Sequence, residues 1–505
     1  MERKIKIKEY YVNYNPKDGK YYMEKSYPTK KKEKSSKRKK GSRRNTCQCN
    51  SQQIERQVNN PTDDTANPGR TQSETSLANF RNFILYGFNN LEGTGNFSGF
   101  AFSSDLGNTW TDGGTIPQNS GGFNSGDPVI AVDRNGIFYY GQVGGEVIDG
   151  RREGVISVST GSFNANGGIR MRLPQVVGRG QNPAVSEVGN QDKEWITVGP
   201  DANSLGNEAL YTVWTDFTNP GGGTRIRFSK FTTGLNLNPI IPSKNIVTGN
   251  ISVSGAFVVV DKQGTIYVFY EQRPASSLGQ ANRTIRMTKS TDGGNTFPID
   301  IQVSSPFAPA GNGITNCSGF NRPTIRVSDT RQIRNNEFPQ ASIGLDGTIY
   351  VVWNAGRLVG NTIFIDTFLA YSQNGGNTWN ELNVTSNSAY SFFPSVTTNC
   401  NGAYIQYNRF NDPNGNGGTG DGTFGVFMKS FSPVRGLGEE KMVSTQFSPV
   451  AITIPGSDAF DCYMGDYNQI ISGPGSCLLH SWGDNRNILN GQPNPDAFFG
   501  LTSPE

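Results

Sequence analysis

Over most of its length the chain alternates short apolar runs with glycine-bearing polar turns. One unit reads Asp127-Pro128-Val129-Ile130-Ala131-Val132-Asp133, turns at Gly136 and resumes as Ile137-Phe138-Tyr139-Tyr140. Ala256-Phe257-Val258-Val259-Val260-Asp261 does the same through Gly264 into Ile266-Tyr267-Val268-Phe269-Tyr270. Another copy runs from Phe338-Pro339 through Asp346-Gly347 to Ile349-Tyr350-Val351-Val352-Trp353. Weaker copies centre on Phe83-Ile84-Leu85-Tyr86, Ala209-Leu210-Tyr211-Thr212-Val213-Trp214, Ala403-Tyr404-Ile405-Gln406-Tyr407 and Cys477-Leu478-Leu479-His480-Ser481-Trp482. β-Branched and aromatic residues suit strands, and Asp-Gly or Asn-Gly suits the hairpins between them. Each unit therefore reads as a sheet of three or four strands. One such sheet cannot close a core alone, whereas a radial array packs each sheet on its neighbours. The expected fold is an all-β propeller of seven blades, or six if the end units merge.

Three turns repeat a tighter pattern: Ser103-Ser104-Asp105-Leu106-Gly107-Asn108-Thr109-Trp110, Ser290-Thr291-Asp292-Gly293-Gly294-Asn295-Thr296-Phe297 and Ser372-Gln373-Asn374-Gly375-Gly376-Asn377-Thr378-Trp379. A side-chain oxygen at Asp105, Asp292 or Asn374 can accept hydrogen bonds from its own turn, and glycine supplies the left-handed backbone. These turns resemble the Asp box, or BNR repeat, of the sialidase-like propeller superfamily. The resemblance covers residues 77–505 and implies structural Asp boxes between the third and fourth strands of a blade. It places ligand sites on the opposite face of the disc, where second strands end.

Polar residues follow the second-strand runs. Asp216 follows Trp214, and Glu271 and Arg273 follow Tyr270. Arg357 follows Trp353, Arg409 follows Tyr407, and Asp484 and Arg486 follow Trp482. Arg273, Arg357, Arg409 and Arg486 are candidates to hold an anion around one mouth. The structural reading of the same residues is a repeated salt bridge between blades. The resemblance implies three arginines on a substrate carboxylate, a Tyr nucleophile polarised by Glu, and an Asp acid. Candidates for the reactive roles are Glu271, Tyr407, Asp216 and Asp484. The arginine segment expected ahead of the first box is met only by Phe80-Arg81-Asn82-Phe83, with Phe in place of Pro.

Two functions follow. One is a module that binds a glycan or surface polymer, or serves as a scaffold, without turnover. The other is a sialidase-type exo-glycosidase acting on terminal acidic sugars. The single histidine, His480, sits inside an apolar strand, which argues against Ser-His-Asp catalysis and His-rich zinc sites. No cofactor is implied. Asp412-Pro413-Asn414-Gly415-Asn416-Gly417 begins like a Ca2+ loop but has Thr423 where a bidentate Glu belongs, so a plain glycine-rich loop is the main reading.

Composition adds a second region. Residues 1–44 carry 17 Lys and Arg against 5 Asp and Glu, whereas the remainder carries 29 against 37. A basic arm thus precedes an acidic body. The stretch 28–44, PTKKKEKSSKRKKGSRR, has too few apolar groups to offset ordering entropy. Residues 1–76 are expected to be a disordered tail, and 28–44 is the part suited to nucleic acid or another anionic surface. No stretch approaches the roughly 18 apolar residues of a membrane span. The N-terminus lacks a classical secretion signal, so synthesis is expected in the cytoplasm, with incorporation into a spore or virion-like layer as a hypothesis. Six cysteines in 505 residues are too few for a disulfide scaffold, and packed free thiols are the simpler expectation beside a Cys462–Cys477 bridge.

Overall fold

The computed structural model describes residues 49, 51–62, 71–90, 96–181, 190–204, 206–218, 223–249, 251–274, 282–317, 320–360, 362–386, 389–451 and 462–504, and the strand backbones 10–15 and 20–25. The chain divides into two units, Met1–Asn45 and Thr46–Glu505. In the first, Tyr10–Asn15 pairs antiparallel with Lys20–Lys25, where disorder was expected. The basic stretch 28–44 lies outside the described residues, as does Cys47.

The second unit is a β-propeller. Its inner strands are Gln72–Phe80, Phe123–Val132, Gln191–Pro200, Ser252–Val260, Gln340–Ile343, Ser391–Asn399 and Gln469–Ser472. Each contacts the next, and the last contacts the first, so the ring closes. Each begins an antiparallel sheet of four or more strands, and these seven sheets are numbered here as blades 1 to 7. The order runs from the axis outward, as in blade 1: Gln72–Phe80, Phe83–Asn90, Ser98–Ser103, Thr111–Thr115. Leu77, Ile130, Ile196, Val258, Ala341, Val396 and Ile470, one from each inner strand, line a channel cavity of about 280 Å³ on the axis. Apolar layers between neighbouring sheets form the core. Leu77, Ile84 and Tyr86 of blade 1, for example, pack with Leu479, Phe499 and Leu501 of blade 7.

Three features depart from the sequence reading. Ile54–Gln57 is not tail but the outer strand of blade 7, paired with Gln492–Thr502. Blade 1 also begins at Gln72, so the boundary at 76/77 cuts through its inner strand. The cause is sequence distance: the strand complements an edge more than 430 residues away, as in Arg56↔Phe499, and has no repeat around it. Second, Cys477 is bonded to Cys49 rather than Cys462, and Cys400 and Cys462 are themselves disulfide-bonded, so free thiols are not what these residues are. Third, a three-stranded sheet of Gly313–Cys317, Phe320–Arg326 and Gln332–Arg334 is inserted between blades 4 and 5. No helix of the described residues is long and apolar enough to cross a membrane.

Candidate functional site

The Asp boxes join third to fourth strands in blades 1, 4 and 5. Asp105 Oδ1 accepts from Ser103 Oγ at 2.8 Å and Thr109 N at 2.9 Å, and its Oδ2 accepts from Thr109 Oγ1 at 2.7 Å. Asp292 repeats this with Ser290 and Thr296. Asn374 keeps the pattern by reversing one bond: its Nδ2 donates to Thr378 Oγ1 at 2.8 Å. Burial pushes the Asp105 and Asp292 carboxyls up, but the hydrogen bonds led by Thr109 and Thr296 together outweigh it and hold both below the ordinary range. All three residues are committed to their own turns.

Most of the charged residues that end the second strands are paired locally. Arg357 pairs with Asp366 at 2.7 Å, Arg409 with Glu440 at 3.0 Å, and Arg486 with Asp484 at 2.6 Å and with Glu55. Tyr407 donates to the same Glu440 at 2.6 Å. Asp216 accepts from Gln181 N at 2.7 Å, Gln191 Nε2 at 3.0 Å and Thr218 N at 2.9 Å, and lies 3.7 Å from Arg227. Burial raises its carboxyl, but bonds led by Thr218 and Gln191 win and hold it low. Glu271 shares Arg283 with Glu337, and burial raises Glu337 to about 7 against the pull of that arginine. Arg273 donates to Ser252 Oγ at 3.0 Å. The pairs thus form chiefly within single blades rather than between them. The antiparallel register sets an arginine beside a carboxylate on the adjoining strand or turn of its own sheet, closer than the next blade.

His480 is fully buried, with Nδ1 on Gln406 Oε1 and Nε2 on Thr502 Oγ1, both at 2.8 Å, and burial lowers it to about 3. In the loop after Phe410, the Asp412 carboxylate accepts from Asn416 N at 2.9 Å and Gly417 N at 2.7 Å, which turns it onto its own loop. Among the described residues no group of three or more His, Cys, Asp or Glu side chains is placed to hold a metal ion.

Charges do gather at one mouth, but from the starts of the inner strands. Five inner strands carry a bulge there, between Ser73 and Ser76, Gly126 and Val129, Asp192 and Trp195, Ser254 and Phe257, and Phe392 and Ser395. A bulge re-aims its side chains. Each has a left-handed residue: Glu74 (φ 52), Asp127 (φ 56, after Gly126 at φ 91), Lys193 (φ 52), Gly255 (φ 69) and Phe393 (φ 51). Strand 1–2 turns share a disc face with the Asp boxes, so these bulges lie on the face the resemblance assigns to ligands.

Asn89 knits the first two bulges together. Its Nδ2 donates to Glu74 Oε2 at 3.1 Å, and its Oδ1 accepts from Asp127 N at 2.7 Å. Tyr463 donates its hydroxyl to Glu74 Oε1. Above Tyr463, the Arg334 guanidinium stacks 4.5 Å from the ring centroid and donates through Nε to Asp466 Oδ1 at 3.1 Å. Tyr463, Asp127, Asp192, Asp466, Arg273, Arg322 and Arg334 are half-buried, while Glu74, Lys193 and Glu194 are buried beneath them. The floor is aromatic: Trp195 lies 4.2 Å from Phe257 and 5.7 Å from Tyr467 between ring centroids.

Burial raises Glu74, reinforced by Asp466, and raises Asp127 well above its ordinary value, reinforced by Glu74. Burial and Glu74 also raise the Tyr463 hydroxyl. Burial lowers Arg322, and so do the charges of Arg334 and Arg273. Two carboxyls with raised proton affinity, a tyrosine bonded to one of them, and clustered arginines make a site able to move protons and hold an anion. Of the candidates named from sequence only Arg273 belongs to it. Glu74 and Asp127 were missed because their polar bulges look like loop sequence, although Asp127-Pro128 before an apolar run is visible in retrospect.

No protein-family model matches the sequence, and no curated protein matches it. Solved structures similar to the chain include an alpha-L-arabinanase from Penicillium chrysogenum complexed with arabinobiose, at 12% identity over 90% of this chain and 98% of that one, TM-score 0.43. An alpha-L-arabinofuranosidase from Fusarium graminearum is similar at 8% identity over 89% and 97%, TM-score 0.44. The Trypanosoma rangeli sialidase is similar at 12% identity over 85% of this chain and 54% of that one, TM-score 0.36. What those enzymes bind is a property of those enzymes.

Proposed function

We propose that the protein is a glycoside hydrolase whose site is the mouth at the bulged ends of blades 1 to 3, acting on glycans that carry a terminal acidic sugar. The observation that carries this reading is the Tyr463–Glu74 hydrogen bond, set beside Asp127 and within electrostatic reach of Arg334. Tyr463 is the nucleophile: its oxygen bonds to the anomeric carbon while its proton passes to Glu74. Asp127 gives its proton to the leaving glycosidic oxygen as that bond breaks. Water then attacks the anomeric carbon, losing its proton to Asp127, and Tyr463 leaves with the proton held on Glu74. Raised proton affinity suits both carboxyls, since one must accept a proton from a phenol and the other must retain one until it donates. Arg322, Arg273 and Arg334 are the candidates to hold the anion. The disulfides favour an oxidising setting for the mature protein.

A panel of fluorogenic glycosides of acidic and neutral sugars tests this. Release from an acidic glycoside that falls at least a hundredfold in Tyr463→Phe and Asp127→Asn supports the reading. Retention of glycans on an array without any release points instead to a binding module that uses the same mouth without turnover.

A further inference from the structure

Tyr463 sits on a stretch that forms neither strand nor helix and leads into the blade 7 inner strand, Gln469–Ser472. No ladder of backbone hydrogen bonds fixes such a stretch, so a side chain on it is only as well placed as its neighbours make it. One neighbour is blade 1. Tyr463 donates to Glu74 Oε1, and Asn89 Nδ2 donates to the Tyr463 hydroxyl at 3.2 Å. The backbones also approach closely: a Cβ on Gly465, whose φ is 87, would meet Glu74 N at 2.8 Å and Ser73 Cβ at 3.0 Å.

The other neighbour is the three-stranded sheet inserted between blades 4 and 5. Its last strand, Gln332–Arg334, ends against the same stretch. Arg334 N donates to Cys462 O at 2.7 Å, one residue before the tyrosine. The Arg334 guanidinium lies 4.5 Å from the Tyr463 ring centroid and donates through Nε and Nη2 to Asp466 Oδ1, three residues after it. Asn336 Nδ2 donates to the same oxygen at 2.6 Å. The base of the sheet is anchored as well. Ala310 N donates to Glu337 Oε1 at 2.6 Å, and Asn335 Nδ2 donates to Ala310 O at 2.9 Å. Glu337 in turn pairs with Arg283, just ahead of the blade 4 strand Thr284–Ser290.

An arginine with two donors on a carboxylate and its plane on an aromatic ring is engaged through both. We propose that Arg334 is a positioning residue: it grips residues 462–466 so that the Tyr463 hydroxyl stays on Glu74, and it leaves the anion to Arg322 and Arg273. That Tyr463 is the nucleophile rests on the glycosidase reading above; the grip on its ring does not. Blade 1 supplies the carboxyl, and the inserted sheet holds the tyrosine against it.

Two variants separate the grip from an anion-holding role. Arg334→Ala removes both, whereas Asp466→Ala loosens the grip and leaves the arginine charge in the mouth. For a grip, kcat on an acidic glycoside falls about a hundredfold in both while KM stays within about threefold of the parent, and Arg334→Lys retains part of the lost rate. For an anion holder, KM rises in Arg334→Ala, does not rise in Asp466→Ala, and kcat is kept in both; that pattern overturns the proposal. Crystal structures of the full-length variants give a readout that needs no turnover. In Arg334→Ala the Tyr463 hydroxyl is expected beyond hydrogen-bond reach of Glu74. A ring still bonded to Glu74 there overturns the proposal. A ring displaced in a protein that releases no sugar upholds the grip and removes the glycosidase reading.

Discussion

Asp127 is a residue at which the proposed function and stability pull apart. Its φ of 56 is the conformation glycine accepts freely, and blade 4 does use glycine, Gly255, at the matching bulge. Burial, reinforced by Glu74, raises its carboxyl well above the ordinary value. A raised carboxyl stabilises the fold below its unfolded pKa, and that contribution is lost as pH rises through the folded value. Asp127→Gly should therefore relieve backbone strain and remove a carboxyl that opposes folding at neutral pH. The expected result is a gain of about 1 kcal/mol in denaturant unfolding at pH 7, together with loss of glycoside turnover. If stability falls instead, the bulge is tuned to aspartate for packing and the argument from strain fails.

At the scale of the element, the Asp box turns out to be a staple between blades as well as a turn. Trp110 of blade 1 lies 5.0 Å from Phe499 of blade 7, Phe297 of blade 4 lies 5.0 Å from Phe228 of blade 3, and Trp379 of blade 5 lies 6.0 Å from Phe269 of blade 4. A basic residue of the preceding blade caps each box carbonyl: Arg56 on Asn108 O at 3.2 Å, Lys230 on Gly293 O at 3.1 Å, Lys289 on Gly375 O at 2.8 Å. A Cβ on Gly107 would meet the Phe499 ring at 2.2 Å, so this glycine is required by close approach as well as by its φ of 83. Asn374 shows that an amide serves the box, which yields a test. Asp105→Asn with Asp292→Asn should cost under about 1 kcal/mol at pH 7. A carboxyl held low contributes stability above its unfolded pKa and loses it as pH falls through the folded value. The double variant should therefore lose less stability than the parent below about pH 4, read by denaturant midpoints. An unchanged acid limb would mean that other carboxylates govern it. The strands and boxes were legible in the sequence because their patterns are local. The partners of Arg357, Arg409 and Arg486 were not, because strand register decides them. Arg322 and Arg334 lay out of sight because their sheet interrupts the repeat.

The whole molecule depends on how the ring is closed. Blade 7 takes three strands from the C-terminal end of the chain and its outer strand, Ile54–Gln57, from the N-terminal end. Around that strand Glu55 meets Arg486, Val58 N bonds Ala497 O at 2.9 Å, Asn59 bonds Asp496 at 2.7 Å, and Cys49 is bonded to Cys477. Removing the strand exposes the Gln492–Thr502 edge, uncaps the blade 1 box at Arg56 and leaves an unpaired, apolar sheet edge of the kind that aggregates. Removing only residues 1–45 touches none of these contacts. The 1–45 truncation is therefore expected to melt within about 2 °C of the full chain, while truncation through residue 58 gives insoluble or opened protein. Between them, Cys49→Ser with Cys477→Ser keeps the strand and loses the covalent link across 428 residues, at a cost of about 6 kcal/mol in the loop-entropy account. Differential scanning calorimetry of the three variants orders them. If truncation through residue 58 melts like the full chain, the ring is held by its blade interfaces alone, and the N-terminal strand is an ornament on blade 7 rather than its closure.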